Sequence, residues 1–227
     1  GKYYCNSRSN TLMTSIIAEL RVSFSAPCLS IRDDGTEQLT ASCQLTFNLD
    51  NQTVAQGKSF SFFAPIGTKE TNEIRWYLES YHIWPVGQFH QRAQEAERSF
   101  PLWGSQLLTA LLVNESEANI FKEWLDSASG YERTFSLHVQ SVNTPDSALA
   151  ASRLLGLPWE LLHQNDQYLS VNTPPVGIRR YASAAPASFQ SLPSNLANQK
   201  TIRILAVSPR PLHTEYIDHR SSIKPLV

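Results

Sequence analysis

The sequence is short of the residue types that announce common chemistries. Three cysteines, Cys5, Cys28 and Cys43, occur in 227 residues. Their number is odd, their spacing is wide and no Cys-x-x-Cys pair occurs, which argues against a zinc site and against a disulfide framework. The nine glycines include no Gly-rich loop of the kind that cradles phosphate, and Gly104 and Gly156 stand alone. Charged residues make up 17%, below the roughly 25% of soluble domains. A sparsely charged surface is often one that something else covers. Net charge is -1 and the basic residues are scattered, so no electrostatic capture of nucleic acid or of an anionic membrane is expected. No apolar run approaches the roughly 18 residues of a membrane-spanning helix. Leu12 to Leu20 is too short and interrupted for a signal peptide. Two glycosylation triplets, Asn51-Gln52-Thr53 and Asn114-Glu115-Ser116, are of a kind that arises often by chance. The first residue is Gly, not Met, so a processed, tagged or excised chain is expected. A reduced, cytoplasmic setting is expected, with no metal and no cofactor.

Hydrophobic residues nevertheless reach 41%, enough for a packed core. Glu19 to Ser25 and Gln44 to Leu49 alternate apolar with polar residues, the period of half-buried strands. Asp50-Asn51 is a turn signal, and Val54 to Phe63 reads as the return strand of a hairpin. The period then changes. Ile74, Tyr77, Leu78 and Tyr81 form a helical stripe, with N-terminal capping chemistry at Thr71 to Glu73. A second helix spans about Gln88 to Phe100, and Pro101 is expected to kink or restart it. Leu107 to Leu112 continues the stripe, and Glu117 to Leu125 is a third helix. Thr134 to Val139 is a strand, Pro145 to Leu154 a helix and Leu157 to Leu162 a helical turn. Gln167 to Val171, Val176 to Tyr181 and Ile202 to Ser208 read as short strands, with a long loop over Ala182 to Lys200. Trp76, Trp84, Trp103 and Trp124 are assigned to the core, and buried cysteines are read as small hydrophobes.

Leu157-Pro158-Trp159-Glu160-Leu161-Leu162 is the most distinctive string. With Ile74-Arg75-Trp76-Tyr77-Leu78-Glu79-Ser80-Tyr81 and Trp84-Pro85 before it, it resembles the opening part of CHAT domains. The Arg133 to Val139 strand, the strand ending Arg179-Arg180, and Ile202 to Pro211 follow in the expected order. The resemblance covers roughly residues 71 to 227. It implies a caspase-like α/β fold in the clan of caspases, separases and gingipains, hence a bacterial cysteine peptidase acting on a protein or peptide substrate. A non-catalytic interaction module on the same fold is the alternative. The expected organisation is a β-rich lead-in over residues 1–70, a helical and mixed α/β part over 71–200, and the start of the caspase-like core over 201–227. In the family, the catalytic His and Cys follow strands beyond the first core strand, so both are expected after Val227. Fused sensor or tetratricopeptide regions are partners that the resemblance implies.

Among the residues present, Ser208, Pro209 and Arg210 are the candidate substrate contacts. An apolar strand feeding a Pro-stiffened loop is where open α/β sheets build sites, and the Arg210 guanidinium suits a carboxylate. Trp159 and Glu160 are read as structural, with Arg179 and Arg180 as partners of the carboxylate. His213, Glu215, Asp218 and His219 are read as a solvated loop, not a metal site. None of His82, His90, His138 and His163 has the family's strand-loop context. Ending inside a core would leave the Ile202 to Ser208 edge unpaired. The chain is therefore predicted to stay in solution with a complementary chain or by self-association. Size-exclusion chromatography with light scattering checks this, and a clean, stable monomer contradicts it.

Overall fold

Every second residue of the first long strand is apolar, and that alternation organises the molecule. The computed structural model describes residues 17–32, 35–83, 85–127, 131–140, 144–172 and 174–181. The strands are β1 (Ile17–Ile31), β2 (Glu37–Leu49), β3 (Gln52–Gln56), β4 (Phe60–Phe63), β5 (Glu132–Gln140), β6 (His163–Gln164), β7 (Gln167–Tyr168) and β8 (Val176–Tyr181). The α-helices are α1 (Thr68–Glu79), α2 (Gln88–Leu111), α3 (Glu115–Asp126) and α4 (Pro145–Leu155). The protein is mixed α/β. One sheet runs β3-β2-β1-β5-β8, β4 also pairs with β2, and β6 with β7 forms a separate ribbon. β1 is antiparallel to β2 but parallel to β5, and β5 is parallel to β8. The sheet therefore joins strands from both sides of residue 70, where the hydrophobic period changes.

Ala18, Leu20, Val22 and Phe24 of β1 are all at most 1% exposed. Leu20 lies between Phe47 and Phe135, and Val22 between Leu45 and Leu137. This apolar face takes Trp124 of α3 and the Trp159 turn against Phe135, and α4 lies across β1 and β5. Burying each such side chain stabilises the fold by roughly 1.5–3 kcal/mol.

Several elements depart from the sequence reading. β1 and β2 are longer than their alternating segments, because β1 passes an irregularity between Ser25 and Cys28 and then resumes pairing. Ala26 there takes a left-handed φ of 49°. Val54 to Phe63 is not one strand: β3 pairs with Thr46 to Leu49 and β4 with Thr40 to Cys43. Gly57 separates them, its N–H donating to the Leu45 carbonyl. The hairpin turn at Asp50 and Asn51 has φ of 49° and 64°, the left-handed pair that a two-residue hairpin requires. α1 starts at Thr68 with Gly67 as its cap, and the Glu70 carboxylate reaches back to accept from Gly67 N at 2.9 Å. α2 runs through Pro101 unbroken. Gln167 to Val171 is a two-residue strand followed by a 3-10 turn. Of the tryptophans assigned to the core, Trp124 is fully buried and Trp103 packs, partly buried, against the core cluster. Trp76 does not belong to the core, since α1 has no buried residue. Trp84 lies outside the described residues. Cys43 is buried but Cys28 is exposed. No helix among the described residues is long and apolar enough to cross a membrane.

Gly104 fixes the approach of α2. A Cβ there would fall 1.7 Å from the Leu161 carbonyl oxygen, a backbone atom. Gly104→Ala is expected to cost about 3 kcal/mol by forcing the helix and the turn apart. Urea unfolding measures this, and a loss below about 1 kcal/mol would contradict so close a contact.

Candidate functional site

The second face of the sheet is polar. Asn48, Glu19, Thr134 and Gly177 form one row across four strands, Thr46, Arg21, Ser136 and Arg179 the next, and Gln44, Ser23, His138 and Tyr181 the third. Glu19 is the electrostatic centre. Its carboxylate accepts from Arg21 Nη2 at 2.9 Å and from Asn48 Nδ2 at 3.0 Å, and His138 Nε2 lies 3.9 Å away. Burial pushes the Glu19 carboxyl up, but the polar groups around it, His138 first, and the Arg21 charge outweigh it and bring it down to about 2. His138 stacks on Tyr181 with ring centroids 4.3 Å apart.

Ser136, His138 and Glu19 invite comparison with a nucleophile, base and orienting acid. The geometry does not support it. Ser136 is fully buried and its hydroxyl makes no hydrogen bond to His138 or to any other described residue, whereas such a nucleophile needs substrate access and a bonded base. Thr134 Oγ1 and Arg21 Nε are likewise buried without a hydrogen-bond partner among the described residues. This face is a cross-linked polar layer.

On the helix-covered face, the Trp159–Leu161 turn is pinned from two sides. Trp159 is fully buried, and its Nε1 donates to the Leu154 carbonyl at 2.9 Å. Glu160 is held by both terminal nitrogens of Arg180, with Nη2 to Oε2 at 2.7 Å. Arg180 also donates to the Leu155 and Leu157 carbonyls, so one guanidinium closes the end of α4. Burial would raise the Glu160 carboxyl, and Arg180 holds it below the usual range instead. Arg179 points to the opposite face and pairs with Glu132 at 3.5 Å. Sequence reasoning offered both arginines, and strand alternation selects Arg180.

A cleft of about 450 Å³ opens between α1, the end of α4 and the β1–β2 end of the sheet. Ile66, Leu39 and Leu157 make a buried floor, and Arg75 and Arg153 stand on its walls. No sequence motif pointed to it, because its residues come from four separate segments.

The thiols do not form a catalytic pair with any described histidine. Cys43 lies on the helix-covered face, opposite His138 across the sheet, and burial, with Glu117 nearby, pushes its thiol well above the ordinary range. A neutral thiol of that kind is not a nucleophile. Ser105 Oγ lies 3.3 Å from His163 Nδ1, and no carboxylate bonds the ring among the described residues. No group of three or more potential ligands able to hold a metal occurs there either. Ser208, Pro209, Arg210, His213, Glu215, Asp218, His219 and Cys5 lie outside the described residues. Compared with known proteins, the chain matches no family model, no curated protein and no solved structure.

The ionised Glu19 makes stability pH-dependent. Its folded pKa of about 2 lies below the ordinary 4.5, so its contribution is present above about pH 4.5 and is lost as pH falls towards 2. Glu19→Gln is expected to lower stability by about 3 kcal/mol at pH 7, with the gap to the parent closing as pH falls from 4.5. Urea titrations across that range check it, and a pH-independent gap contradicts it.

Proposed function

We propose that this chain supplies the non-catalytic opening part of a CHAT-like, caspase-related cysteine peptidase. In this reading it contributes scaffold and one border of a cleft for a protein or peptide substrate. The observation that carries the proposal is the Arg180 clamp. It ties the Leu157–Leu162 turn to the end of β8, and open α/β sheets build their sites at the carboxyl ends of parallel strands. The parallel β1-β5-β8 succession, with α4 in the β5–β8 connection, suits a caspase-like core that continues beyond β8. Ser208, Pro209 and Arg210 then border the substrate, with Arg210 pairing an acidic group. The dyad would stand elsewhere than on the described residues, and the protein would work in the bacterial cytoplasm with a sensor region and a complementary chain or a second copy.

The second reading is a binding module without peptidase activity. It is favoured by the state of Cys43, the one buried thiol among the described residues, which is locked in the core as a neutral group. The two readings separate on the full-length protein of the natural gene, incubated with unfolded casein before and after alkylation by iodoacetamide. The peptidase reading expects cleavage that alkylation abolishes and that Cys43→Ala retains. Absence of cleavage, or cleavage unchanged after alkylation, rejects cysteine catalysis and leaves the binding module.

A further inference from the structure

The cleft between α1 and α4 combines an aliphatic floor with cationic walls. Its floor is aliphatic, with Leu29 beside the buried Leu39, Ile66 and Leu157. Its walls bring Arg75 of α1 and Arg153 of α4 to one cavity. Neither guanidinium has a hydrogen-bond or ion-pair partner among the described residues, in contrast to Arg21, Arg92, Arg179 and Arg180, which all grip glutamates. The side chains of Asn72 and Ser152 also line it and make no hydrogen bond among the described residues. A volume of about 450 Å³ falls within the roughly 300–1,000 Å³ of small-ligand pockets.

We propose that this cleft binds a carboxylate adjoining an aliphatic side chain, as presented by a short peptide segment. The aliphatic group rests on the leucine and isoleucine floor. The carboxylate sits between Arg75 and Arg153, where a planar guanidinium fork matches its two oxygens. The Asn72 amide, with donors and an acceptor, meets the peptide main chain. Other ligand classes fit less well. No aromatic residue lines the cleft, so nothing stacks a nucleobase. A phosphate at the first turn of α1 would face the Glu70 carboxylate, which already occupies Gly67 N. Glu37, the acidic group in the lining, is engaged by Thr68 Oγ1 at 2.7 Å. It stands on the β2 wall, so the carboxylate is placed on the arginine side. The inference needs neither Arg210 nor a catalytic dyad, and holds whether or not the protein cleaves peptides.

The test uses the 227-residue chain and fluorescein-labelled probes followed by anisotropy. The probes are Gly-Gly-Gly-Leu-Val with a free carboxyl terminus, the same peptide as its terminal amide, and an amidated Gly-Gly-Leu-Asp-Gly. At least one carboxylate probe is expected to bind about tenfold or more tightly than the amide of the first peptide. Binding of the first probe alone identifies a chain terminus as the source, and binding of the third alone an acidic side chain. Arg75→Gln and Arg153→Gln are each expected to weaken that probe about tenfold, with unchanged affinity for the amide and an unchanged thermal midpoint. Both arginines are exposed, so the fold does not depend on them. Equal binding of acid and amide, unaltered binding by both variants, or no binding of either carboxylate probe at about 1 mM overturns the proposal.

Discussion

The burial of Trp159 is the contact on which the arrangement of elements depends. Its ring lies 5.8 Å from Phe24 of β1, 6.2 Å from Phe62 of β4 and 6.2 Å from Phe135 of β5. Its one polar atom is satisfied by the last turn of α4, so the ring enters the core without an orphaned donor. Three strands distant in sequence thus meet one side chain, and each aromatic pair adds roughly 0.5–1.5 kcal/mol beyond burial. Once Trp159 is seated, Leu161 presents its carbonyl to Gly104 and positions α2. Glu160 is turned outward to Arg180 at the end of β8. A proline before the tryptophan and a carboxylate after it complete a short string whose residues each fix a different neighbour.

What was legible in the sequence followed from short-range periodicity. The alternations at 19–25, 44–49 and 134–139 marked strands because one face of the sheet is apolar and the other polar. Parallel strands buried on both faces lose that alternation, and β1 and β5 keep it despite being parallel. Their pairing was for the same reason not readable, since the pattern is the one that antiparallel strands also give. The division of Val54 to Phe63 escaped because Gly57 breaks the strand through a contact with β2, not through a turn signal. The early start of α1 escaped because a glycine cap has no side chain to announce it, and Glu70 does the capping from inside the helix. Pro101 was read as a kink or restart on its local cost alone, and the helix continues past it to the Gly104 contact. Arg179 and Arg180 were both offered as partners of Glu160, and strand parity in the sheet selects Arg180. The α1–α4 cleft had no sequence signal, because it is assembled from distant segments.

The polar face separates structure from chemistry in this molecule. It gathers a carboxylate, an imidazole, a serine and an arginine, a set that looks catalytic when written as a list. Packed on adjacent strands, the carboxylate and the arginine pair with each other, and the buried serine is beyond the reach of a substrate. The reverse holds for the thiol, which is packed where it stays protonated. Reactive residue types are thus placed where reactivity is suppressed, while two arginines without partners stand at a cleft.

α1 carries a different consequence. A helix of 12 residues without a buried side chain is held by the Glu73–Arg92 pair, the guanidinium over Trp76 at 3.8 Å, the Tyr77 hydroxyl on Glu97 and ring contacts of Trp76 with Phe89 and of Tyr77 with Phe100. Such exposed polar contacts are worth little individually. Its amides are therefore expected to open at lower free energy than those of the core strands, as one local unit. One wall of the cleft is drawn from that unit, and the opposite wall from α4, which is anchored in the core. Whatever spans both walls must order the first while leaving the second unchanged, so occupancy of the cleft is thermodynamically coupled to the local folding of α1.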